Sequence, residues 1–171
     1  KTRLAMGLLS LLFYWLFAHH LIRTDYIKLV TLYTGLFILF YTLIQQLKHN
    51  TKALIYIAFA FRVVFILAIP NLSQDFYRFI WDGRMIIEGF NPYLYTVESF
   101  ISSGTYPFAE ALELRQGMGT LNASHFTNYP PISQLCFTIA AFLSERSILG
   151  SVIILRLLII VADFGTLEKN G

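Results

Sequence analysis

The sequence predicts an all-α protein, a polytopic helical membrane protein with about five transmembrane helices and one long non-cytoplasmic loop. Its composition is the first indication, because 56% of the residues are hydrophobic and only 13% are charged, whereas soluble domains have about 25% charged residues. The second is a series of apolar segments close to the roughly 20 residues that a membrane-spanning helix needs.

Five apolar segments are the predicted spans. Three precede the loop, at residues 4–22, 27–47 and 53–70, and two follow it, at residues 132–142 and 148–167. The chain therefore divides into residues 1–70 with three spans, a loop over residues 71–131, and residues 132–171 with two spans. Because the chain ends just after the last span, we expect it to be the N-terminal part of a longer protein.

The Lys and Arg residues of the short connections indicate the orientation, because such residues are enriched on the cytoplasmic side. With the amino terminus inside, the inner connections hold more of them than the outer ones, and the long loop lies outside. A bacterial protein of this kind would be a multi-pass protein of the inner (plasma) membrane. The net charge of +3 is small and scattered, which argues against nucleic-acid binding, and a single cysteine excludes an intrachain disulfide.

The loop begins with a segment that predicts an amphipathic helix over residues 74–88, with Ser73 as N-cap and Gly89 as the stop signal. At 100° per residue, Asp75 and Asp82 project almost the same way with Arg78 between them, while Trp81 and Arg84 fall on a different face from the apolar side chains. This pattern predicts a helix lying flat in the membrane interface with an acidic edge at headgroup depth.

Two interpretations of these charges remain open. In the first, an acidic residue is a general base for a sugar hydroxyl, and Arg78 and Arg84 pair with the phosphate of a lipid-linked donor. In the second, Asp75 only favours the positive end of the helix dipole, and Arg78 with Asp82 is an ordinary i,i+4 ion pair.

Two stiff turns with aromatic residues lie further along the loop, and they contain Tyr93 and Tyr129. They are candidate substrate contacts or, alternatively, aromatic anchors at the interface. His125 is a candidate for proton exchange or phosphate contact.

These motifs carry a family resemblance. In order they are Asp75-Phe-Tyr-Arg-Phe, Trp81-Asp-Gly-Arg, Gly89-Phe-Asn-Pro-Tyr, and Tyr129-Pro-Pro with Gln134. Together they resemble the first large lumenal or periplasmic loop of the GT-C integral-membrane glycosyltransferases. The most similar branch is the polyprenol-phosphate-mannose-dependent mannosyltransferases, which include GPI mannosyltransferase I and its bacterial relatives.

The resemblance implies a sugar transfer, with mannose as the sugar, from a polyprenol-phosphate donor to the hydroxyl of a glycan or glycolipid acceptor on the non-cytoplasmic face. The family's catalytic aspartate maps onto Asp75, and Asp82 would position the acceptor or an arginine. Family members often have two acids in this motif, but Ser73 and Gln74 occupy the nearby positions here. Because a lone carboxylate is a poor divalent site, this departure argues against a metal requirement; a divalent metal stays an open alternative, and no other cofactor is predicted.

Charges also lie inside the predicted spans, where they are costly and should face protein or a water-filled cavity. Arg62 and Arg156 are candidates for neutralising the donor phosphate; the alternative for Arg62 is an interhelical bridge to Asp163. Two other protein classes stay open beside a glycosyltransferase. One is a transporter or flippase segment with a polar path, and the other is a membrane subunit without chemistry.

Overall fold

The computed structural model describes residues 2–168, which are helical and contain no strand. The chain divides into two compact units, with the boundary between Leu72 and Ser73. Three helices form the first unit: α1 (Thr2–His20), α2 (Tyr26–Leu47) and α3 (Thr51–Phe65). Five form the second: α4 (Asp75–Ile87), α5 (Val97–Ser102), α6 (Ala111–Ser124), α7 (Pro131–Leu143) and α8 (Ile148–Glu168).

In the first unit, α1 packs against both α2 and α3. Side-chain caps start the later two helices: Asp25 accepts a hydrogen bond from the backbone N–H of Lys28, and Asn50 accepts one from Ala53. Five leucines on one side of α2 are buried, namely Leu32, Leu36, Leu39, Leu43 and Leu47. Their spacing of three or four residues is that of one helix face.

Three helices of the described chain are long and apolar enough to cross a membrane: α1, α2 and α8. They correspond to the first, second and last predicted spans. The helices in the other two predicted spans are shorter, with 15 residues in α3 and 13 in α7. The structure therefore confirms an all-helical membrane protein and three candidate spans, but not the full number of five.

The second unit is built around α4, which packs mainly against α7 and α6. The helices α4 and α7 approach closely at Gly83. A Cβ added there would lie 2.3 Å from the backbone oxygen of Phe137. On its other side α4 contributes to a buried apolar core together with α5 and α6; its members include Phe76, Ile80, Trp81, Phe100, Leu114 and Met118. Nearly every side of α4 is therefore in contact with protein.

The predicted helix over residues 74–88 is confirmed with slightly shorter bounds, 75–87. Its predicted stop is also confirmed: Gly89 has φ 83°, and the N–H of Phe90 donates to the carbonyl of Met85, which is the Schellman arrangement. The prediction for its polar face is wrong. Trp81, Asp82 and Arg84 are all buried, because α6 and α7 cover the side that the sequence pattern assigned to the membrane interface.

Candidate active site

The first turn of α4 holds Asp75, whose side chain is exposed. Ser73 Oγ accepts a hydrogen bond of 3.2 Å from the backbone N–H of Asp75. The side-chain amide of Asn122, from the last turns of α6, donates to Asp75 Oδ1 at 3.2 Å. The other oxygen, Oδ2, has no hydrogen-bond partner among the described residues. One oxygen of Asp75 is thus held in place while the other is open to accept a proton.

Asp82, two turns further along α4, has the opposite surroundings because it is completely buried. Arg78 Nε donates to its Oδ1 at 2.9 Å, while Thr127 Oγ1 and Gln134 Nε2 donate to its Oδ2 at 2.5 and 2.9 Å. Three donors from three different segments therefore satisfy this carboxylate. It ties α4 to the start of α7 and to the loop before it.

Arg78 joins the two acidic positions. Besides its bond to Asp82, its Nη1 donates to the backbone carbonyls of Asn122 and His125, at 3.1 and 2.9 Å. Arg78 is itself buried, and it fixes the end of α6 that supplies the Asn122 amide to Asp75. The ordinary i,i+4 ion pair with Asp82 is therefore confirmed.

A break in α6 brings Asn122 to this place. Gly119 has φ 74° and ψ 167°, values outside the helical region, and the chain changes direction there. The carbonyl of Met118, just before the break, accepts a 2.7 Å hydrogen bond from the side chain of Gln74. The residue before Asp75 and the kink before Asn122 are thus linked directly.

Tyr129 lies in the same neighbourhood. Tyr93 Oη donates to its backbone carbonyl at 2.5 Å, and its ring packs edge-on against Phe79 with centroids 5.0 Å apart. Burial raises the pKa of Tyr129, the negative charges of Asp75 and Asp82 raise it further, and Arg78 partly offsets them. The phenol therefore stays protonated near neutral pH and remains a hydrogen-bond donor.

His125 is exposed, and its backbone and side chain have different partners. Its carbonyl accepts from Arg78, while its ring Nδ1 lies 2.6 Å from the carbonyl of Leu121. A carbonyl can only accept, so Nδ1 carries the proton and Nε2 is left for other partners.

The structure brings together six of the sequence-predicted site residues: Asp75, Arg78, Asp82, Tyr93, His125 and Tyr129. Arg84 is not among them. It is buried, and its Nη1 donates to the backbone carbonyl of Ala141 at 2.8 Å, seven residues along α7 from Gln134. Because Asp82 and Arg84 are two residues apart on α4, their side chains project in different directions and contact different parts of α7.

One family model matches this chain, over residues 3–166: α-(1→6)-mannopyranosyltransferase, N-terminal domain. The chain belongs to this mannosyltransferase family. The expected glycosyltransferase class is therefore confirmed, and the transporter and non-catalytic alternatives lose their support. No curated protein and no solved structure matches the chain significantly.

The two arginines predicted to bind the donor phosphate, Arg62 and Arg156, lie in different units of the chain. Arg62 of α3 borders an apolar cavity of about 380 Å³ within the first unit. Its Nη1 donates to the carbonyl of Ala58 at 3.3 Å, and its guanidinium carbon lies 5.6 Å from the centre of the Phe59 ring. Arg156 is half-buried in α8 of the second unit. Their roles stay predictions.

Residues 2–168 contain no group of three or more His, Cys, Asp or Glu side chains placed to hold a metal ion. Among the described residues, the candidate site has one exposed carboxylate, that of Asp75, together with its hydrogen-bonding neighbours.

Two residues of the site are missing from the sequence-based set, Asn122 and Thr127. Both are common polar residues in a long loop, 47 and 45 positions from the aspartates that they contact. The Gly117-Met-Gly119 sequence indicates a break in α6, but it does not indicate which side chain beyond the break reaches Asp75.

Proposed function

We propose that this mannosyltransferase domain moves mannose from a polyprenol-phosphate donor to the 6-hydroxyl of a glycan or glycolipid acceptor, with Asp75 as the general base. The observation that carries the proposal is the contrast in α4. Asp75 is exposed with one open carboxylate oxygen, whereas the other acid of the helix, Asp82, is buried with three donors.

The reaction is a single displacement. Asp75 Oδ2 accepts the proton of the acceptor hydroxyl, the freed oxygen attacks C1 of the mannosyl group, and the bond between C1 and the donor phosphate oxygen breaks. Polyprenyl phosphate leaves with the electron pair. One base and one displacement invert the anomeric carbon, so an α-linked product requires a β-linked donor.

The neighbours of Asp75 have supporting roles in this proposal. Asn122 orients the carboxylate through Oδ1, so that Oδ2 faces the acceptor. Tyr129, protonated at neutral pH, and the Nε2 of His125 are the nearby groups for sugar hydroxyls or phosphate. Arg62 and Arg156 remain candidates for the donor phosphate, and Tyr93 acts through Tyr129.

The membrane supports a lipid-linked donor. Three helices of the described chain are suited to span a bilayer, so the protein lies where such a donor is dissolved. The distribution of Lys and Arg, taken with α3 as a third crossing before the loop, supports a loop on the non-cytoplasmic side, where nucleotide sugars are not made. In a bacterium this membrane would be the inner membrane.

The test uses membranes that contain the full-length protein and two labelled donors, β-linked polyprenol-phosphate mannose and GDP-mannose. We expect transfer from the lipid donor into an α-(1→6)-linked product, with no loss when GDP-mannose is omitted. Transfer only from GDP-mannose, or into a β-linked product, would contradict the proposed donor and mechanism.

A further inference from the structure

A buried arginine in the second unit has hydrogen-bonding groups that the protein does not use. Arg84 is 7% exposed, and its Nη1 donates to Ala141. Its Nε and Nη2 are buried and have no hydrogen-bond partner among the described residues. These two nitrogens form one edge of the guanidinium group, and this edge matches the paired oxygens of a phosphate or carboxylate.

A second unused group belongs to Glu110, which lines a cavity of the second unit together with Arg84. Glu110 Oε1, at the start of α6, is also buried and has no partner among the described residues. Both side chains line a cavity of about 240 Å³, which is large enough for a small polar headgroup. A ligand that satisfies both must supply an acceptor to Arg84 and a donor to Glu110.

The charges around the cavity also favour a ligand that has both a negatively and a positively charged group. Two arginines, Arg84 and Arg146, line it together with three glutamates, Glu88, Glu110 and Glu145. A simple anion would meet an excess of negative charge, whereas a phosphate that carries its own cation would not. Burial lowers the pKa of Arg84, and the charge of Glu110 acts against that lowering.

The position of the cavity in the chain indicates a lipid. Glu145 and Arg146 lie in the short connection before α8, whose candidate membrane span begins at Ile148. Because α7 packs along α4 and is not among the candidate spans, the connection before α8 lies on the same side as the loop. We therefore expect the cavity where the α8 span starts, at the boundary between water and hydrocarbon, where phospholipid headgroups lie. Two apolar side chains at its edge, Ile87 and Phe142, are 42% and 71% exposed and are suited to contact acyl chains.

We propose that this cavity binds the headgroup of an aminophospholipid, in which a phosphate diester is joined to a primary ammonium group. The Nε and Nη2 edge of Arg84 holds the phosphate oxygens, and Glu110 Oε1 accepts a hydrogen bond from the ammonium group. This site is separate from Asp75, and the proposal for it does not depend on the proposed mannosyl transfer.

The experiment measures thermal unfolding of the full-length protein in detergent with increasing phosphatidylethanolamine, phosphatidylcholine or phosphatidylglycerol. Phosphatidylcholine has the same phosphate but no N–H group, and phosphatidylglycerol has no cation. We expect phosphatidylethanolamine to stabilise the protein at about tenfold lower concentration than the other two, which is the effect of one charged hydrogen bond. Equal stabilisation by all three lipids, or none by phosphatidylethanolamine, would overturn the proposal.

Two variants locate the effect. Glu110→Gln should remove the preference for phosphatidylethanolamine over phosphatidylcholine, and Arg84→Gln should weaken stabilisation by both. Glu113→Gln is the matched control, because Glu113 is exposed one turn further along α6 and does not line the cavity. If Arg84→Gln fails to fold, Glu110→Gln still decides: an unchanged preference in this variant contradicts the site.

A soluble probe, O-phosphoethanolamine, separates a lipid from a free ligand of the same chemistry. Stabilisation by both the lipid and the soluble headgroup, or by the lipid alone, supports the proposal. Stabilisation by the soluble headgroup alone contradicts the assignment to a lipid.

Discussion

Asp75 and Asp82 lie seven residues apart on the same helix, but their exposure and their hydrogen bonding are opposite. Asp75 is exposed in the first turn of α4, and its carboxylate has one hydrogen bond among the described residues, from Asn122. Asp82 is buried and accepts from Arg78, Thr127 and Gln134. A general base must exchange its proton with substrate, so only the first of these carboxylates is suited to that task.

The two aspartates of this motif therefore have different expected roles, Asp82 in stability and Asp75 in transfer. The Asp82 cluster holds α4, α7 and the end of α6 in a fixed arrangement, and Asp75 uses the position that this arrangement gives it. Arg78 belongs to both, because it neutralises Asp82 and binds the carbonyl of Asn122. Substitutions at Asp82 should therefore act first on stability, and those at Asp75 on transfer.

The largest expected effect on stability comes from Asp82→Ala. Removing this carboxylate leaves the buried Arg78 without its counter-charge, and such a change costs about 3–5 kcal/mol. Thermal unfolding of the full-length protein should show a clear drop in Tm, whereas the exposed control Glu113→Ala should show almost none. Equal Tm values for Asp82→Ala and wild type would mean that the Asp82 cluster does not hold the helices together.

Gly83→Ala should be the next most severe. Its Cβ would overlap the backbone oxygen of Phe137, so α4 and α7 must separate, and overpacking of this kind costs about 1–3 kcal/mol. Gly7→Ala in α1 is the control, because a Cβ there meets nothing within 4 Å. We expect destabilisation for Gly83→Ala only; a Tm as high as that of the control would be evidence against the close approach of α4 and α7.

Asn122→Ala should reduce catalysis with little change in stability. The loss of one hydrogen bond that orients Asp75 predicts a decrease in kcat of about three- to tenfold, with a smaller change in KM. Asn128→Ala is the matched control, since Asn128 is exposed in the same loop. Steady-state kinetics in which both variants have the wild-type kcat would show that Asn122 does not position the base.

The smallest expected effect concerns Tyr129 at alkaline pH. Burial and the nearby aspartates raise its pKa above the ordinary value of 10.0, so the folded protein holds the phenolic proton more tightly than the unfolded chain. The corresponding stability is present below about pH 10 and is lost as the pH rises through the raised pKa.

Tm measured as a function of pH should therefore fall more steeply above pH 10 in the wild type than in Tyr129→Phe. Tyr106→Phe, at an exposed position, should behave like the wild type. Parallel curves for Tyr129→Phe and the wild type would show that Tyr129 is not in the environment described.

Much of this arrangement could be predicted from local sequence. Apolar length predicts α1, α2 and α8, and Gly89 marks the C-terminal end of α4. The predicted N-cap, Ser73, is one residue too early, because the N-cap of α4 is Gln74. The i,i+4 spacing also predicts the Arg78–Asp82 pair. In each of these cases the signal lies within one helix or one turn.

The rest depends on contacts between segments that are far apart in sequence. The amphipathic pattern of α4 is compatible with a membrane surface, but α6 and α7 cover the polar face of this helix. Arg84 is buried against α7 as a result and does not lie with the other predicted site residues. The contacts of Asn122 with Asp75 and of Thr127 with Asp82 depend on the break at Gly119 and on the path of the loop. A single sequence contains no local signal for either contact.

The most direct test of the central claim measures mannosyl transfer and Tm together, for Asp75→Asn and Asp82→Asn in the full-length protein. We expect Asp75→Asn to keep the wild-type Tm and to lose transfer by at least about a hundredfold, the usual contribution of a general base, and Asp82→Asn to lower the Tm. Wild-type transfer by Asp75→Asn at matched expression would show that Asp75 is not the base.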